Sequence, residues 1–187
     1  AFERGFVEEA LPQEDPHELP VIGNPDARYC VTLLFDYQCS HCQKIHSLLP
    51  EVVRHFNGEV AFVLCPTPLS QECNPYVPSG EDRFKGSCEL AKISLALWRT
   101  DRQAFKQFDA WLFEPDPVKG WYPRSVEDAY AKAALLSGRS TSGTAGGDAL
   151  GKAMNDSWID NYLSTTFELF GRTSQNGKAA IPRFIYN

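Results

Sequence analysis

The sequence predicts an α/β fold: a parallel strand–helix–strand unit near its start, followed by a long and mostly helical stretch. Three observations carry that prediction. Val31-Thr32-Leu33-Leu34-Phe35 is a short apolar run rich in strand formers and closed by a turn. Ile45, Leu48, Leu49, Val52, Val53 and Phe56 recur at the spacing of one helical face. Val60-Ala61-Phe62-Val63-Leu64 is a second apolar run of strand length. A connection as long as the one between the two runs implies a parallel, right-handed βαβ unit.

Each element has its own justification. Gln43, Lys44, His46, Ser47, Glu51 and Arg54 fill the polar side of the first helix, and Asn57-Gly58 ends it. Pro50 cannot donate to the carbonyl of His46, so a kink is expected there within one continuous helix. Cys30 opens the first strand and Cys65 closes the second, so parallel pairing sets them too far apart to bridge. Both read as small buried hydrophobes. Leu90, Ile93, Leu97 and Trp98 line one helix face, and Phe105, Phe108 and Leu112 line the next. Ser125 with Asp128 marks a further helix start, and Gly138 follows its end. GRSTSGTAGGDALG reads as a mobile surface loop. A last helix follows, with Ile159, Leu163, Phe167 and Phe170 on one face and Gly171 as its stop. The aromatic content of these helices reads as core.

Composition bounds the function. The 187 residues suit one domain, or a core with an insertion, and a chain of that length buries roughly 70% of its unfolded surface. A net charge of −6 offers no basic footprint, so nucleic acid is not an expected partner. No run of about 18 apolar residues occurs, so no membrane-spanning helix is expected. The opening AFERGF has neither initiator Met nor signal peptide, and a processed chain would look the same. Six cysteines lean toward an oxidising compartment.

The chemistry lies in Cys39-Ser40-His41-Cys42. Strand, loop and helix in that order put Cys39 at a helix N-terminus, where unpaired N–H groups and the helix dipole favour a thiolate. Cys39 is therefore expected to be the exposed, attacked sulfur, with Cys42 one turn in and buried. A helix terminus supplies at most about 2 kcal/mol, or roughly 1.5 pKa units. His41 and backbone donors must supply the rest of any larger shift. Asp36 reads first as a turn acid, and a proton relay for Cys42 is the sharper alternative. His17, His46 and His55 read as solvated.

FDYQCSHC followed by an amphipathic helix resembles the active-site entry of the thioredoxin superfamily, in its DsbA-like branch. VIGNPDARYCVTLLFDY resembles the lead-in to that dithiol, and Ile181-Pro182 before Arg183-Phe184-Ile185-Tyr186 resembles the hydrophobic–cis-Pro element that opens a later core strand. The chain is also similar to thioredoxin-like modules associated with vitamin K epoxide reductase homologues. The resemblance implies a thioredoxin-like core over residues 18–66 and 172–187, with a helical insertion over 67–171, in one unit spanning 1–187. It implies thiol–disulfide exchange on exported proteins, in the periplasm or another extracytoplasmic place, with oxidation the favoured direction. Catalytic residues would be Cys39, Cys42, His41, Pro182 and Ile181, with a cis Pro182 placing the Ile181 backbone beside Cys39. No cofactor or metal is implied. Partners would be protein thiols and disulfides, plus a redox partner that resets the dithiol, such as a membrane quinone-linked enzyme. In the family a further strand and a helix follow the cis-Pro strand. This sequence stops at Asn187, so Phe2–Leu11, a partner chain or further polypeptide would cover that sheet edge.

Duller readings stand beside these. The dithiol could be half of a zinc site, a Cu(I) site with His41, or part of a chaperone or redox-inert adaptor. Cys73 and Cys88 flank a Pro-, Gly- and Ser-rich stretch that a bridge would clasp, closing a loop of about 15 residues for roughly 3 kcal/mol. A Cys65–Cys73 pairing and unpaired thiols are the alternatives.

Overall fold

The computed structural model describes residues 15–78, 84–140, 146–174 and 180–186. After a 3-10 turn at Pro16–Glu18, the chain forms β1 (Val21–Ile22) and β2 (Tyr29–Phe35), then α1 (Ser40–His46), α2 (Leu49–His55) and β3 (Val60–Pro66). Helices α3 (Ser87–Thr100), α4 (Arg102–Phe113), α5 (Val126–Ser140), α6 (Gly146–Ala153) and α7 (Ser157–Thr173) precede β4 (Arg183–Tyr186). The sheet has four strands in the order β1-β3-β2-β4.

The central pair is parallel, with Leu33 beside Leu64 and Leu34 beside Cys65. These positions are shut off from solvent on both faces, which is why their sequence reads as a continuous apolar run. β4 runs antiparallel to β2 and sets Arg183 against Leu34. β1 escapes pattern reading because two residues have no periodicity; it pairs antiparallel with β3.

Helices α3 to α7 pack into a core of their own that merges with the sheet. The predicted apolar faces of α3, α4 and α7 are all buried, and each fully buried Leu or Phe contributes roughly 1.5–3 kcal/mol. Ser125 and Asp128 cap α5 reciprocally: the Asp128 N–H donates to Ser125 Oγ (3.0 Å) and the Ser125 hydroxyl to Asp128 Oδ2 (2.8 Å). Among the described residues no helix is long and apolar enough to cross a membrane.

Several expectations are corrected. The first helix is broken, not kinked. It closes on bonds from the Ser47 N–H to Gln43 O and the Leu48 N–H to Ile45 O, and restarts at Leu49 with Pro50 in its first turn, where a missing N–H costs nothing. The break shifts the helical phase, so Leu48 and Phe56 are exposed instead of joining the apolar face. Gly138 and Gly171 both lie inside their helices. Gly171 is there for space, since a Cβ would run into the Tyr76 ring. Part of the expected surface loop is α6, held by the buried Leu150 and its packing on α3 and α5; residues 141–145 lie outside the described residues. Cys30 is exposed, because β2 begins beyond the helical cover. Phe2–Leu11, one candidate for covering the outer edge of β4, also lie outside them.

Candidate active site

The site is built where β2 ends. Asp36 starts a turn closed by a bond from the Cys39 N–H to Asp36 O (3.1 Å), and Cys39 becomes the N-cap of α1. Its Sγ accepts the Cys42 N–H at 3.4 Å, so the sulfur occupies the place an oxygen takes in an ordinary cap. The same cap draws the side chain inward. Cys39 is only 6% exposed, against the expectation of an open sulfur, while Cys42 is 1% exposed. Both cysteines are buried, Cys39 slightly less so.

The two thiols are driven apart in acidity. Cys39 is lowered to about 6, first by the Cys42 S–H directed at it, then by the N–H groups of Cys42 and His41, and last by the positive charge of His41; burial opposes these. Cys42 moves far above the ordinary thiol range through burial, its bond to Cys39 and the Cys39 charge. The largest contributor to the thiolate is thus the partner cysteine, which sequence reasoning left out. It credited the helix end, backbone donors and His41, and a three-residue spacing along a helix is the signal that could have shown the partner cysteine. His41 itself is exposed.

Asp36 is 1% exposed and accepts the N–H groups of Gln38 (2.7 Å) and Leu69 (2.6 Å). Burial nevertheless raises its pKa to about 6, opposed by those two bonds and by Ser87, with the Cys39 charge adding to the rise. It also acts on Cys42 electrostatically, so this is a buried acid of the site and more than a turn residue.

The Ile181–Pro182 peptide is cis and immediately precedes β4. Because Arg183 pairs with Leu34, that peptide lies at the end of the sheet where Asp36 and the dithiol begin. Ile181 and Pro182 are half-buried. Cys73 and Cys88 are joined, with their Cα atoms 6.1 Å apart. Cys65 is fully buried beside the Tyr162 hydroxyl (3.4 Å), and burial pushes its thiol up to about 12. His46 is buried, contrary to expectation. Its Nε2 lies 2.9 Å from Asp109 Oδ2, out of line with the ring N–H, and its ring lies 4.3 Å from that of Phe113. A histidine at the end of a short first helix faces the insertion, which no helical-face count of a single long helix could show. Among the described residues no three His, Cys, Asp or Glu side chains come together to hold a metal.

A thioredoxin-like core carrying a helical insertion is the DsbA-like fold architecture. Solved structures share that fold. A thioredoxin-like oxidoreductase from Silicibacter pomeroyi DSS-3 superposes with a TM-score of 0.65 at 17% identity, over 90% of this chain and 80% of that one. The thiol-disulfide exchange protein alpha-DsbA2 from Wolbachia pipientis gives 0.65 at 16% identity, over 90% and 76%. A periplasmic thioredoxin-like protein from Salmonella enterica serovar Typhimurium gives 0.59 at 20% identity, over 93% and 80%. At such identities the likeness is one of fold. No protein-family model and no curated protein matches the sequence.

Proposed function

We propose that this protein is a thiol–disulfide oxidoreductase that oxidises cysteine pairs in exported proteins through Cys39 and Cys42. The observation that carries the reading is the split acidity of the pair, with Cys39 at about 6 and Cys42 far above it. In the oxidised form a substrate thiolate attacks Cys39 Sγ. The Cys39–Cys42 bond breaks, and its electron pair leaves on Cys42, which takes up a proton. Asp36, with a pKa near 6, stands beside it as the buried acid. The substrate's second thiolate then attacks the substrate sulfur of the mixed disulfide, and Cys39 leaves as a thiolate. The substrate loses two electrons and the dithiol gains them. A stabilised Cys39 thiolate makes a good leaving group and favours the reduced enzyme, so the exchange runs toward substrate oxidation.

Ile181 and Pro182 are assigned the binding side of the reaction: an extended substrate segment laid along the Ile181 backbone would present its cysteine to Cys39. His41 supplies charge to the thiolate. Regeneration requires an oxidant, for which a membrane quinone-linked enzyme is the proposed partner. An extracytoplasmic location is supported by the disulfide-bonded Cys73 and Cys88 and by the shared fold of a periplasmic protein.

Equilibrating the protein with glutathione buffers tests the reading. The Cys39/Cys42 pair should stay reduced until the buffer reaches the potentials of known dithiol oxidants, about −120 to −180 mV. Cys39→Ser should abolish exchange, and Cys42→Ser should accumulate a mixed disulfide on Cys39. A pair that oxidises near −270 mV, where thioredoxin stands, would make the protein a reductase.

A further inference from the structure

Cys73 and Cys88 take no part in the exchange described above, yet the bridge between them joins the segment that holds Asp36 to the start of α3, whose Ser87 faces the same carboxylate. On one side, Leu69 gives its N–H to Asp36 Oδ2 at 2.6 Å. Leu69 belongs to a tight turn that ends at the cysteine. The Cys73 and Asn74 N–H groups both return to Ser70 O, and Asn74 Nδ2 donates to Pro68 O at 2.9 Å. On the other side, Ser87 adjoins Cys88 at the start of α3. Its hydroxyl is buried, has no aligned partner of its own, and acts on the Asp36 carboxylate. The residue before it, Gly86, has φ +89°, and a Cβ there would collide with Val126 and approach the Gln38 side chain. The start of α3 thus packs tightly against Val126 and lies within van der Waals reach of Gln38 in the active-site turn.

The bridge is also open to attack from one side. Cys73 is half-buried and lines a surface pocket of about 360 Å³ with Pro75, Tyr76 and Lys92, whereas Cys88 is 5% exposed. Of the two bridged residues, Cys73 is the one at the surface.

We propose that Cys73–Cys88 is a second redox site, opened by small thiols such as glutathione, whose closed state fixes the donors around Asp36 and thereby sets the reactivity of Cys39. The chemistry balances. A glutathione thiolate attacks Cys73 Sγ and forms a mixed disulfide, while the Cys73–Cys88 bond breaks and its electron pair leaves on Cys88, which is protonated. A second glutathione thiolate then attacks the glutathione sulfur of that mixed disulfide, releasing oxidised glutathione and the Cys73 thiolate. Two glutathiones are oxidised and the bridge takes up two electrons. Once it opens, Leu69 and Ser87 are no longer clamped, and Asp36 loses groups that favour its ionised form. Asp36 then stays protonated to higher pH. The Cys39 thiolate loses an opposing charge, because the repulsion between the two is mutual. The ionisable groups that enter this balance are Asp36, Cys39, Cys42 and His41.

The proposal rests on the exchange function assigned to Cys39 and Cys42, and two measurements on the full chain test it. In the first, mass spectrometry follows the Cys73–Cys88 peptide pair across glutathione buffers. Opening of the bridge in the native protein is expected, and a bridge that stays closed even in fully reduced glutathione overturns the switch. In the second, Cys39 alkylation is followed against pH in the wild type, in Cys73→Ser/Cys88→Ser, and in both with Asp36→Asn added. Losing the bridge should move the Cys39 midpoint down by about half a pH unit, roughly threefold in thiolate below the midpoint. Asp36→Asn should erase that difference. An unmoved midpoint, an upward shift, or a shift that persists without Asp36 would each overturn the proposal, whatever the loss in thermal stability. If the double serine variant does not fold, Ser87→Ala keeps the bridge and should move the midpoint the same way. Alkylation reads Cys39 whether or not the pair exchanges with glutathione, so failure of the exchange function shows separately, as a Cys39/Cys42 pair that never equilibrates.

Discussion

Asp36 opposes the fold when it ionises. Burial holds its pKa near 6 in the native protein against 3.8 in an unperturbed chain. A folded pKa above the unfolded one gives stability that is whole below about pH 4 and is lost as pH rises through about 6. Each pKa unit is about 1.4 kcal/mol, so the loss by pH 7 is roughly 3 kcal/mol. Asp36→Asn should therefore raise the urea midpoint at pH 7 and leave it unchanged near pH 4. The gain will fall short of the full amount because the amide offers one oxygen where the carboxylate uses two, for the Gln38 and Leu69 N–H groups. Cys39 has the opposite sense, with its thiolate favoured in place. Its alkylation should rise with pH to a midpoint near 6, and His41→Ala should raise that midpoint by a fraction of a unit. That small shift should shrink in 1 M salt, where charges on exposed groups are screened within about 3 Å.

At the scale of elements, glycines and a proline mark where the sequence speaks ambiguously. Gly171 in α7 is read as a stop because glycine commonly ends helices, but the ring of Tyr76 fills the space where its side chain would be. Alanine there should gain about 1 kcal/mol of helix propensity and lose about 1–3 kcal/mol to crowding. Gly171→Ala should thus destabilise the wild type and stabilise a Tyr76→Ala background, a change of sign that thermal melts of the wild type and the three variants would read. Two further misreadings share this cause. Pro50 divides α1 from α2 at Ser47 and Leu48, and α6 forms from a glycine-rich stretch once Leu150 finds a buried place. By contrast β2, β3 and the buried faces of α3, α4 and α7 were legible, because an apolar run or stripe states burial directly. The site divides along the same line. Cys39, Cys42 and Ile181-Pro182 carry local patterns, so they could be placed. The Leu69 N–H, the Ser87 hydroxyl and the burial of His46 arise from contacts distant in sequence, and no local pattern encodes them.

Across the whole molecule, a buried polar cluster ties the active-site turn to the inserted helices. The Tyr37 hydroxyl lies 2.6 Å from Ser94 Oγ on α3 and donates to Asp109 Oδ1 on α4 at 2.9 Å, while Asp109 Oδ2 faces His46 at the end of α1. Tyr37, Ser94, His46 and Asp109 are all buried, and burial together with the Asp109 charge keeps the Tyr37 phenol well above its ordinary range. Removing one member of such a set costs more than removing a matched pair, since the partner is left buried and unpaired. Asp109→Ala takes a buried partner from the Tyr37 hydroxyl and the His46 ring and should cost roughly 1–3 kcal/mol, a sizeable share of the 5–15 kcal/mol that stabilises a typical domain. His46→Phe with Asp109→Leu should cost less than that single change, because it leaves no buried ring nitrogen facing an apolar side chain and fills the space of the carboxylate. Urea denaturation of the two variants decides it; a pair change costlier than the single one would mean that packing, not the polar cluster, joins core to insertion.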